Sequence, residues 1–241
     1  MTNDHHIDRR RFCAVVSAGA IGSVAAASAQ PSSPRLEALT KAERDAMTPA
    51  QVIEMLKQGN ARFLAGATAH FDYRDQKRSS AAGQYPAAAL LGCIDSRAPA
   101  ELIFDVGIGD AFNARVAGNV VNDDLLGSLE FACAVSGAKA IVVFGHTACG
   151  AIKGAIDDVE MGNLTGLLAK IKPAIKATTF TGEKTTKNPA YVDAVARSNV
   201  RVALAMIRRR SPILEDLEKK HAITIVGAMY DVVKGAVEFL T

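Results

Sequence analysis

Three short apolar stretches, separated by longer amphipathic segments, constrain the fold of this chain most strongly. They span residues 87–92, 140–145 and 222–227. Each is continuous and apolar, as a strand covered on both faces of a sheet should be. Helical periodicity fills much of the remainder, at residues 123–136, 149–160 and 190–209 and again after Ser211 and Pro212. Strands that alternate with helices predict an α/β fold with a mostly parallel central β-sheet flanked by helices.

A further helix is predicted upstream of the first strand. Thr48 can cap it, Pro49 suits its first position, and Gln51 can complete a capping box. Its apolar residues share one face: Val52, Met55, Leu56 and Phe63. The pattern therefore predicts an amphipathic helix over residues 48–63.

The composition narrows the classes of function. The 241 residues are 49% hydrophobic, which is enough for one substantial core. Lys and Arg number 28 against 25 Asp and Glu, and a net charge of +3 over this length gives no electrostatic footprint for a nucleic acid. We therefore expect a small-molecule function and no nucleic-acid partner. Four cysteines are too few for a disulfide scaffold, so their positions matter more than their number.

The N-terminus has the features of an export signal. Arg9, Arg10 and Arg11 precede a weakly apolar stretch over residues 12–29 that ends in a small-x-small cleavage pattern. Paired arginines before such a stretch resemble a twin-arginine signal, which is read by a receptor that exports folded proteins. We expect cleavage after Ala29 and a periplasmic location. The alternative is a retained membrane anchor, but the stretch is at the short limit for spanning a bilayer, so we expect no stable membrane insertion after cleavage.

These features divide the chain into three parts. Residues 1–29 form the predicted signal peptide, residues 30–46 a linker that begins with a Pro- and Ser-rich run, and residues 47–241 a single α/β domain. We see no internal repeat. The chemistry is therefore expected within residues 47–241.

Two of the three predicted strands end in residues that bind metals. Cys93 follows the first strand, and His146 and Cys149 follow the second. Because the chemistry of a parallel sheet lies at the carboxyl ends of its strands, these side chains converge if the two strands are neighbours. Two thiolates and one imidazole suit Zn²⁺, and three protein ligands leave a fourth position open to water, as in catalytic zinc sites. The sequence therefore predicts one catalytic zinc per chain.

A simpler interpretation treats each cysteine as part of the core. A buried Cys in a strand is usually a small hydrophobic residue, and an isolated His-x-x-Cys is a weak sign of a metal. The position of both motifs at strand ends, with Asp95 and Arg97 directly after Cys93, favours the metal site. Cys133 lies within an apolar helical segment, and we expect it in the core.

Taken together, the motifs closely resemble those of the β-class carbonic anhydrases. The resemblance covers nearly all of the chain after the predicted signal peptide and rests on these motifs: Gly59-Asn60-x-Arg62-Phe63, Cys93-x-Asp95-Ser96-Arg97 with Pro99 and Glu101, Gly109-Asp110-x-Phe112, Arg115-x-Ala117-Gly118-Asn119, His146-x-x-Cys149-Gly150 and Gly227-Ala228-x-Tyr230-Asp231. It implies that family's fold, with an N-terminal helical arm, and reversible hydration of CO₂ to bicarbonate and a proton through zinc-bound hydroxide.

The resemblance also implies roles for individual residues. Cys93, His146 and Cys149 would hold the zinc. Asp95 would either close the site as a fourth ligand, which gives an inactive form, or turn to Arg97 and leave the zinc open to water. In that open form Asp95 can accept a hydrogen bond from the hydroxide, and a fork from Arg97 lowers the pKa of the carboxyl and fixes its orientation.

Two substrate-binding residues and an assembly are implied as well. Gln84, nine residues before Cys93, matches the family's substrate-orienting glutamine. Phe112 matches a pocket-wall position that faces the neighbouring subunit's zinc in family dimers. The resemblance implies a homodimer or homotetramer, with the helix over residues 48–63 as an arm across the partner.

Three alternatives stay open at this point. The same zinc site can serve a hydrolase of a related substrate, CS₂ or COS. A non-catalytic, zinc-stabilised binding or sensing protein is a second alternative, although such proteins usually lose the Asp/Arg pair or a ligand, and Asp95 and Arg97 are intact. A redox thiol protein is the third, but Cys93 and Cys149 do not form a Cys-x-x-Cys motif and a histidine lies between them in sequence.

Overall fold

A computed structural model describes residues 37–240 of the chain. Its strands are β1 (Ala88–Gly92), β2 (Ala111–Arg115), β3 (Ala140–His146), β4 (Thr224–Tyr230) and β5 (Val237–Leu240). Its α-helices are α1 (Lys41–Ala46), α2 (Pro49–Leu64), α3 (Tyr73–Ser79), α4 (Ala100–Ile103), α5 (Asp123–Glu130), α6 (Gly150–Ile156), α7 (Gly162–Ala169), α8 (Lys172–Ala177), α9 (Pro189–Arg210) and α10 (Pro212–Lys219). A 3₁₀ turn covers Ala117–Asn119, and a π-helical turn, Phe131–Val135, continues α5.

The five strands form one sheet in the order β2-β1-β3-β4-β5. The first four are parallel and β5 is antiparallel to β4, so the predicted mostly parallel sheet is confirmed. Strands β1 and β3 are buried along their whole length, as their continuous apolar sequences predict. The third predicted strand is β4, which begins at Thr224 and runs on to Tyr230.

Strands β2 and β5 were not expected from the sequence. Strand β2 contains Asn113 and Arg115 and is half-buried over most of its length, and β5 contains the exposed Glu238. Both strands lie at the edges of the sheet, where one side of the strand has no neighbouring strand among residues 37–240. Short edge strands with polar residues lack the apolar run that marks a central strand.

Helices cover both faces of the sheet, so the core consists of two layers, one on each face of the sheet. One layer joins alternate residues of β1 and β3 to the inner face of α9: Leu91, Ile141, Val143, Val192, Val195 and Val200. The other joins the intervening strand residues to α2: Leu90, Val142, Phe144, Val52 and Leu56. The alternation follows from the two-residue period of a strand, which sends successive side chains to opposite faces.

Helix α2 begins as predicted and packs on the sheet of its own chain. The Thr48 hydroxyl accepts from the Gln51 backbone N–H, and the Gln51 side chain accepts from the Thr48 N–H, which completes the capping box. Val52 and Leu56 are fully buried. Near its end, Asn60 donates to the carbonyl of Ile103 at 3.1 Å, so the inner face of this helix is fixed to its own chain.

The segment predicted as a linker, residues 30–46, is partly helical. Thr40 and Glu43 form a capping box at the start of α1. Arg44 in this helix is buried and donates to the carbonyl of Ser136. From Lys41 onward the expectation of a linker is therefore wrong, because a capped helix packs there on the rest of the domain. The predicted signal peptide and the first residues of the linker lie outside the described residues.

Two predicted helices differ in extent or form. The helix expected over residues 149–160 ends at Ile156, and Asp158 has a left-handed backbone with φ 53°. The helix expected over residues 123–136 is α-helical to Glu130 and then widens to the π-helical turn. Within residues 37–240, none of the helices combines the length and apolar character needed to cross a bilayer.

Candidate metal centre

The sheet brings the two predicted ligand motifs to one point. Strands β1 and β3 are parallel neighbours, with Leu91 opposite Val143, so both reach their carboxyl ends at the same edge of the sheet. Cys93 follows β1 directly, and His146 is the last residue of β3. The candidate ligand atoms of Cys93, His146 and Cys149 all lie within 4.8 Å of one another, and the three side chains are buried. The predicted convergence is therefore confirmed.

The ring of His146 is oriented so that one nitrogen faces this cluster. Its Nδ1 lies 2.9 Å from the carbonyl oxygen of Thr147. Because a carbonyl oxygen can only accept, Nδ1 carries the proton and Nε2 presents its lone pair. Among residues 37–240, Nε2 of His146 has no hydrogen-bond partner, although it is buried. A buried imidazole nitrogen that has a free lone pair and no hydrogen-bond partner is suited to bind a metal ion.

Three hydrogen bonds hold the loop that carries Cys93, and a fourth holds Gly118, the donor of the first. The Gly118 N–H donates to Cys93 Sγ at 3.3 Å. Arg115 on β2 donates from Nε to the carbonyl of Cys93 at 2.9 Å and from Nη2 to the carbonyl of Asp95 at 2.6 Å. The buried Asn199 on α9 donates to the carbonyl of Gly118 at 2.7 Å. The sulfur is therefore held by the 3₁₀ turn, which α9 supports through Asn199, and the backbone of the loop is held by β2.

The two thiols of the cluster titrate as a coupled pair. The pKa of Cys93 lies well below its ordinary value, mainly because Cys149 donates a hydrogen bond to its sulfur, with the Gly118 N–H adding to the effect. The pKa of Cys149 lies far above its ordinary value, because it faces the Cys93 thiolate and is buried. Two thiolates at this distance repel each other unless a cation lies between them.

This donor set fits zinc. Two sulfurs and one imidazole nitrogen are ligands that Zn²⁺ prefers, and a divalent cation would stabilise both thiolates at once. Cys133 behaves differently, because burial alone raises the pKa of its thiol to about 12. It lies in the core, as the sequence predicts.

Asp95 and Arg97 form a two-pronged ion pair beside the cluster. Arg97 donates from Nε to Oδ1 of Asp95 at 2.9 Å and from Nη2 to Oδ2 at 2.8 Å. These bonds are the main reason that the pKa of Asp95 lies well below its usual range. Oδ2 of Asp95 is 3.8 Å from Nε2 of His146. The carboxylate thus faces the edge of the candidate metal centre while it is turned to Arg97.

Gln84 and Phe112 lie away from the cluster of their own chain. Gln84 is exposed and precedes β1, whereas Cys93 follows β1, and the five residues of that strand span about 16 Å. Phe112 lies opposite Ala89, near the amino end of β1. Phe112 borders a surface cavity of about 660 Å³, and its ring meets that of Phe131 edge-on at a centroid distance of 6.1 Å. The exposed Phe131 was not singled out in the sequence.

Two further polar residues near the site escaped the sequence analysis. Asp193 accepts from the backbone N–H of Ala148 at 3.0 Å, and Asn199 contacts Gly118 as described above. Both lie within the amphipathic pattern of α9. The signal that could have found Asn199 is its position on the apolar face of that helix, where a polar residue needs a buried partner.

Comparison with known proteins agrees with this geometry. A sequence model of a family described as carbonic anhydrase matches residues 88–237. "Carbonic anhydrase 2" of Mycobacterium tuberculosis is 34% identical over 193 residues, which cover 78% of this chain and 90% of the relative. The carbonic anhydrase of Mycolicibacterium smegmatis is 34% identical over 192 residues, covering 79% of this chain and 92% of the relative.

Solved structures with a similar fold include β-carbonic anhydrases. One from Sordaria macrospora, described as tetrameric, aligns with a TM-score of 0.59 at 27% identity and covers 66% of this chain and 83% of that chain. CafA of Aspergillus fumigatus aligns with a TM-score of 0.61 at 23% identity, covers 79% of this chain and 89% of that chain, and supports the fold alone. From the family match, the relatives and the sheet that positions Cys93, His146 and Cys149, this chain belongs to the β-class of the carbonic anhydrase family.

Proposed function

We propose that this chain catalyses the reversible hydration of CO₂ to bicarbonate and a proton, with zinc as its cofactor. The observation that carries the proposal is the buried cluster of Cys93, His146 and Cys149, whose ligand atoms lie within 4.8 Å of one another. The ion pair of Asp95 and Arg97 at its edge adds the group needed to orient water. Relatives named carbonic anhydrase at 34% identity support the same activity.

The residues divide the work between holding the metal and orienting the nucleophile. Cys93, His146 and Cys149 would hold the zinc, which supplies a Lewis acid that brings the pKa of water near neutrality. Asp95 stays ionised because Arg97 forks onto it, so it can accept a hydrogen bond from the attacking water and aim the oxygen lone pair at the carbon of CO₂. Arg97 therefore acts on the reaction through Asp95.

Stopped-flow measurement of CO₂ hydration tests this function on the purified full chain. We expect activity with about one zinc per chain, loss of activity with a strong chelator, and recovery when zinc is returned. The same preparation assayed with CS₂ and COS distinguishes the alternative substrates. A chain that holds no zinc, or that contains a disulfide between Cys93 and Cys149, contradicts the proposal.

We propose further that the chain assembles as a homodimer or homotetramer and that Gln84 and Phe112 serve the site of a neighbouring subunit. Both lie near the amino end of β1, and the cluster lies at its carboxyl end. Each of these two residues is separated from the cluster of its own chain by the length of the strand, about 16 Å. That distance is too long for either residue to bind a substrate at that cluster. The described tetramer of the Sordaria relative supports an oligomer.

We also propose that the first 29 residues direct export to the periplasm and are cleaved there. The paired Arg9 and Arg10 before a weakly apolar stretch support a route for folded proteins. Such a route would let zinc protect the thiolates before they reach an oxidising compartment. Replacing Arg9 and Arg10 by Lys and fractionating cells tests the route, since unchanged export contradicts it.

A further inference from the structure

The turn between two candidate zinc ligands contains a residue in an unfavourable conformation. His146 ends β3 and Cys149 precedes α6, so only Thr147 and Ala148 connect them. Ala148 has φ 55°, in the left-handed region that residues with a Cβ atom avoid. An alanine has no side-chain polar group to offset that cost locally. The conformation must therefore be held by contacts from elsewhere in the chain.

Contacts from two separate elements hold this turn. Thr147 is held from the end of β4 and the residues after it, because its N–H donates to the carbonyl of Tyr230 at 2.9 Å and its hydroxyl accepts from the Val232 N–H at 3.0 Å. Ala148 itself is held from α9, because its N–H donates to Oδ1 of Asp193 at 3.0 Å. The last contact acts on the one residue of the turn that has a positive φ.

Asp193 is anchored on a rigid support. It lies near the start of α9, and its neighbours Val192 and Val195 are fully buried in the core layer between this helix and the sheet. The carboxylate is separated from Ala148 by 45 residues of chain, so the contact depends on the packing of α9 on the sheet. A hydrogen bond from a backbone N–H to a carboxylate is among the stronger kinds.

We propose that Asp193 is a positioning residue for the zinc centre: by holding Ala148 in the left-handed conformation, it brings His146 Nε2 and Cys149 Sγ to the same point. The inference rests on the proposed zinc-dependent function. Asp193 is not one of the three candidate zinc ligands, and its effect passes through the backbone of the turn. Because Nε2 and Sγ must meet one ion from residues only three positions apart, a turn that relaxed to an ordinary conformation would separate them.

The test measures zinc affinity by competition with a chromophoric chelator, for the full chain and three variants. We expect Asp193→Ala to raise the zinc dissociation constant by about 10- to 100-fold, as loss of a supporting hydrogen bond does at other zinc sites. Asp193→Asn keeps an oxygen acceptor at the same position and should restore the affinity to within a few-fold of wild type. Asp216→Ala, which removes an exposed carboxylate from α10, is the control and should leave the affinity unchanged.

A double variant separates positioning from general stabilisation. Glycine adopts a left-handed conformation without cost, so Ala148→Gly removes the need for the Asp193 contact. The zinc affinity of the double variant, Asp193→Ala with Ala148→Gly, should therefore lie within about threefold of the affinity of Ala148→Gly alone. The effects of the two substitutions on zinc affinity are then clearly not additive. The visible spectrum of the Co²⁺-substituted protein should change in Asp193→Ala and return toward wild type in the double variant.

The results described next would overturn the inference. Wild-type zinc affinity in Asp193→Ala would mean that the contact is dispensable, and equal weakening in all variants at Asp193, with or without Ala148→Gly, would mean that the carboxylate acts elsewhere. If Asp193→Ala does not fold alone, the double variant decides, because its failure to fold as well would assign Asp193 to the stability of the domain. Absence of zinc binding in the wild-type chain would instead overturn the proposed function, and this inference with it.

Discussion

Arg97 holds both carboxylate oxygens of Asp95, with donor–acceptor distances of 2.9 Å from Nε and 2.8 Å from Nη2. The backbone N–H of Arg97 also donates to Oδ1 of Asp95, at 3.0 Å. The arginine side chain is 52% exposed and the aspartate only 15%. The flat guanidinium thus reaches from solvent and fixes the carboxylate that borders the zinc centre. Such a fork gives orientation as well as charge.

The two side-chain hydrogen bonds from Arg97 to the carboxylate of Asp95 predict that a side chain with only a positive charge cannot replace the arginine. Lysine provides a single point charge and cannot bond both oxygens in one plane, so Asp95 would rotate more freely. We expect Arg97→Lys to keep its zinc and its stability but to lower kcat/KM for CO₂ hydration by about 10- to 100-fold. Stopped-flow kinetics and metal analysis on the same sample measure both quantities.

The matched control for this prediction is Arg209→Lys, since Arg209 is exposed at the end of α9. Its kinetics should equal those of wild type. Full activity in Arg97→Lys would show that the charge of residue 97 is sufficient and that the planar contact is not used. Loss of zinc in Arg97→Lys would instead mean that the arginine stabilises the metal-binding loop.

The three described cysteines are predicted to react very differently with iodoacetamide at pH 7. The thiolate is the reactive form, and burial raises the pKa of Cys133 to about 12, so this thiol stays protonated and inert at neutral pH. The pKa of Cys93 is shifted the other way, so its thiolate is present at pH 7 once zinc is removed. We expect no labelling with zinc bound and preferential labelling of Cys93 after chelation.

Mass spectrometry of the digested protein reads out this prediction residue by residue. Unfolding in denaturant is the positive control, because all of Cys93, Cys133 and Cys149 should then react. Rapid labelling of Cys133 in the native protein would contradict its placement in the core. Equal labelling of Cys93 with and without chelator would contradict a metal at that sulfur.

The sequence predicts the centre of the sheet and the metal cluster well. The central strands are visible as local apolar runs, and the cluster follows from the way a parallel sheet arranges the ends of its strands. Strands β1, β3 and β4 are continuous apolar runs, and parallel strands bring their carboxyl ends to one edge. The sequence does not predict the edge strand β2, because Asn113 and Arg115 interrupt its apolar pattern. Its conformation is fixed by its pairing with β1. Tertiary pairing overrides local preference there.

The contacts that support the ligands could not be read from sequence for a different reason. Asp193 meets Ala148 across 45 residues, and Asn199 meets Gly118 across 81. Both depend on how α9 lies on the sheet, and no local pattern encodes that. The left-handed backbone of Ala148 is equally invisible, because alanine gives no sign of a positive φ.

Gly92 is predicted to be required by close packing directly before Cys93. A Cβ at this position would lie 2.3 Å from Cζ of Phe144, whose ring is fully buried in the core. We expect Gly92→Ala to lower the free energy of unfolding by about 1–3 kcal/mol, as overpacking of a core does. Because the strand must move next to a ligand, zinc affinity should fall too. Urea unfolding and chelator competition measure these effects.

Gly166→Ala is the matched control, because Gly166 lies in the exposed part of α7 and a Cβ there has no atom within 4 Å. Alanine favours a helix more than glycine, so this variant should be unchanged or more stable by up to about 1 kcal/mol. If Gly92→Ala were as stable as Gly166→Ala, the tight contact with Phe144 would not constrain the strand.

Mixed oligomers are predicted to show that Gln84 acts on the site of a neighbouring subunit. Gln84→Ala keeps its own zinc ligands, and Cys149→Ser loses its zinc site but keeps Gln84. If Gln84 acts across the interface, a mixed pair contains one complete site, formed by the ligands of one chain and the glutamine of the other. Random mixing in a two-fold dimer then restores about a quarter of wild-type activity, because half of the dimers are mixed and each has one intact site.

Two different affinity tags allow the mixed oligomer to be purified away from its parents, and CO₂ hydration is measured on all three species. Each parent alone should be weakly active or inactive. Activity of the mixed species no higher than the average of its parents would mean that Gln84 serves its own chain. That outcome would require the segment before β1 to cross the length of the sheet, because β1 separates Gln84 from Cys93. The exposed position of Gln84 near Ile108 and Gly109, on the amino side of β2, argues for the contribution across the interface.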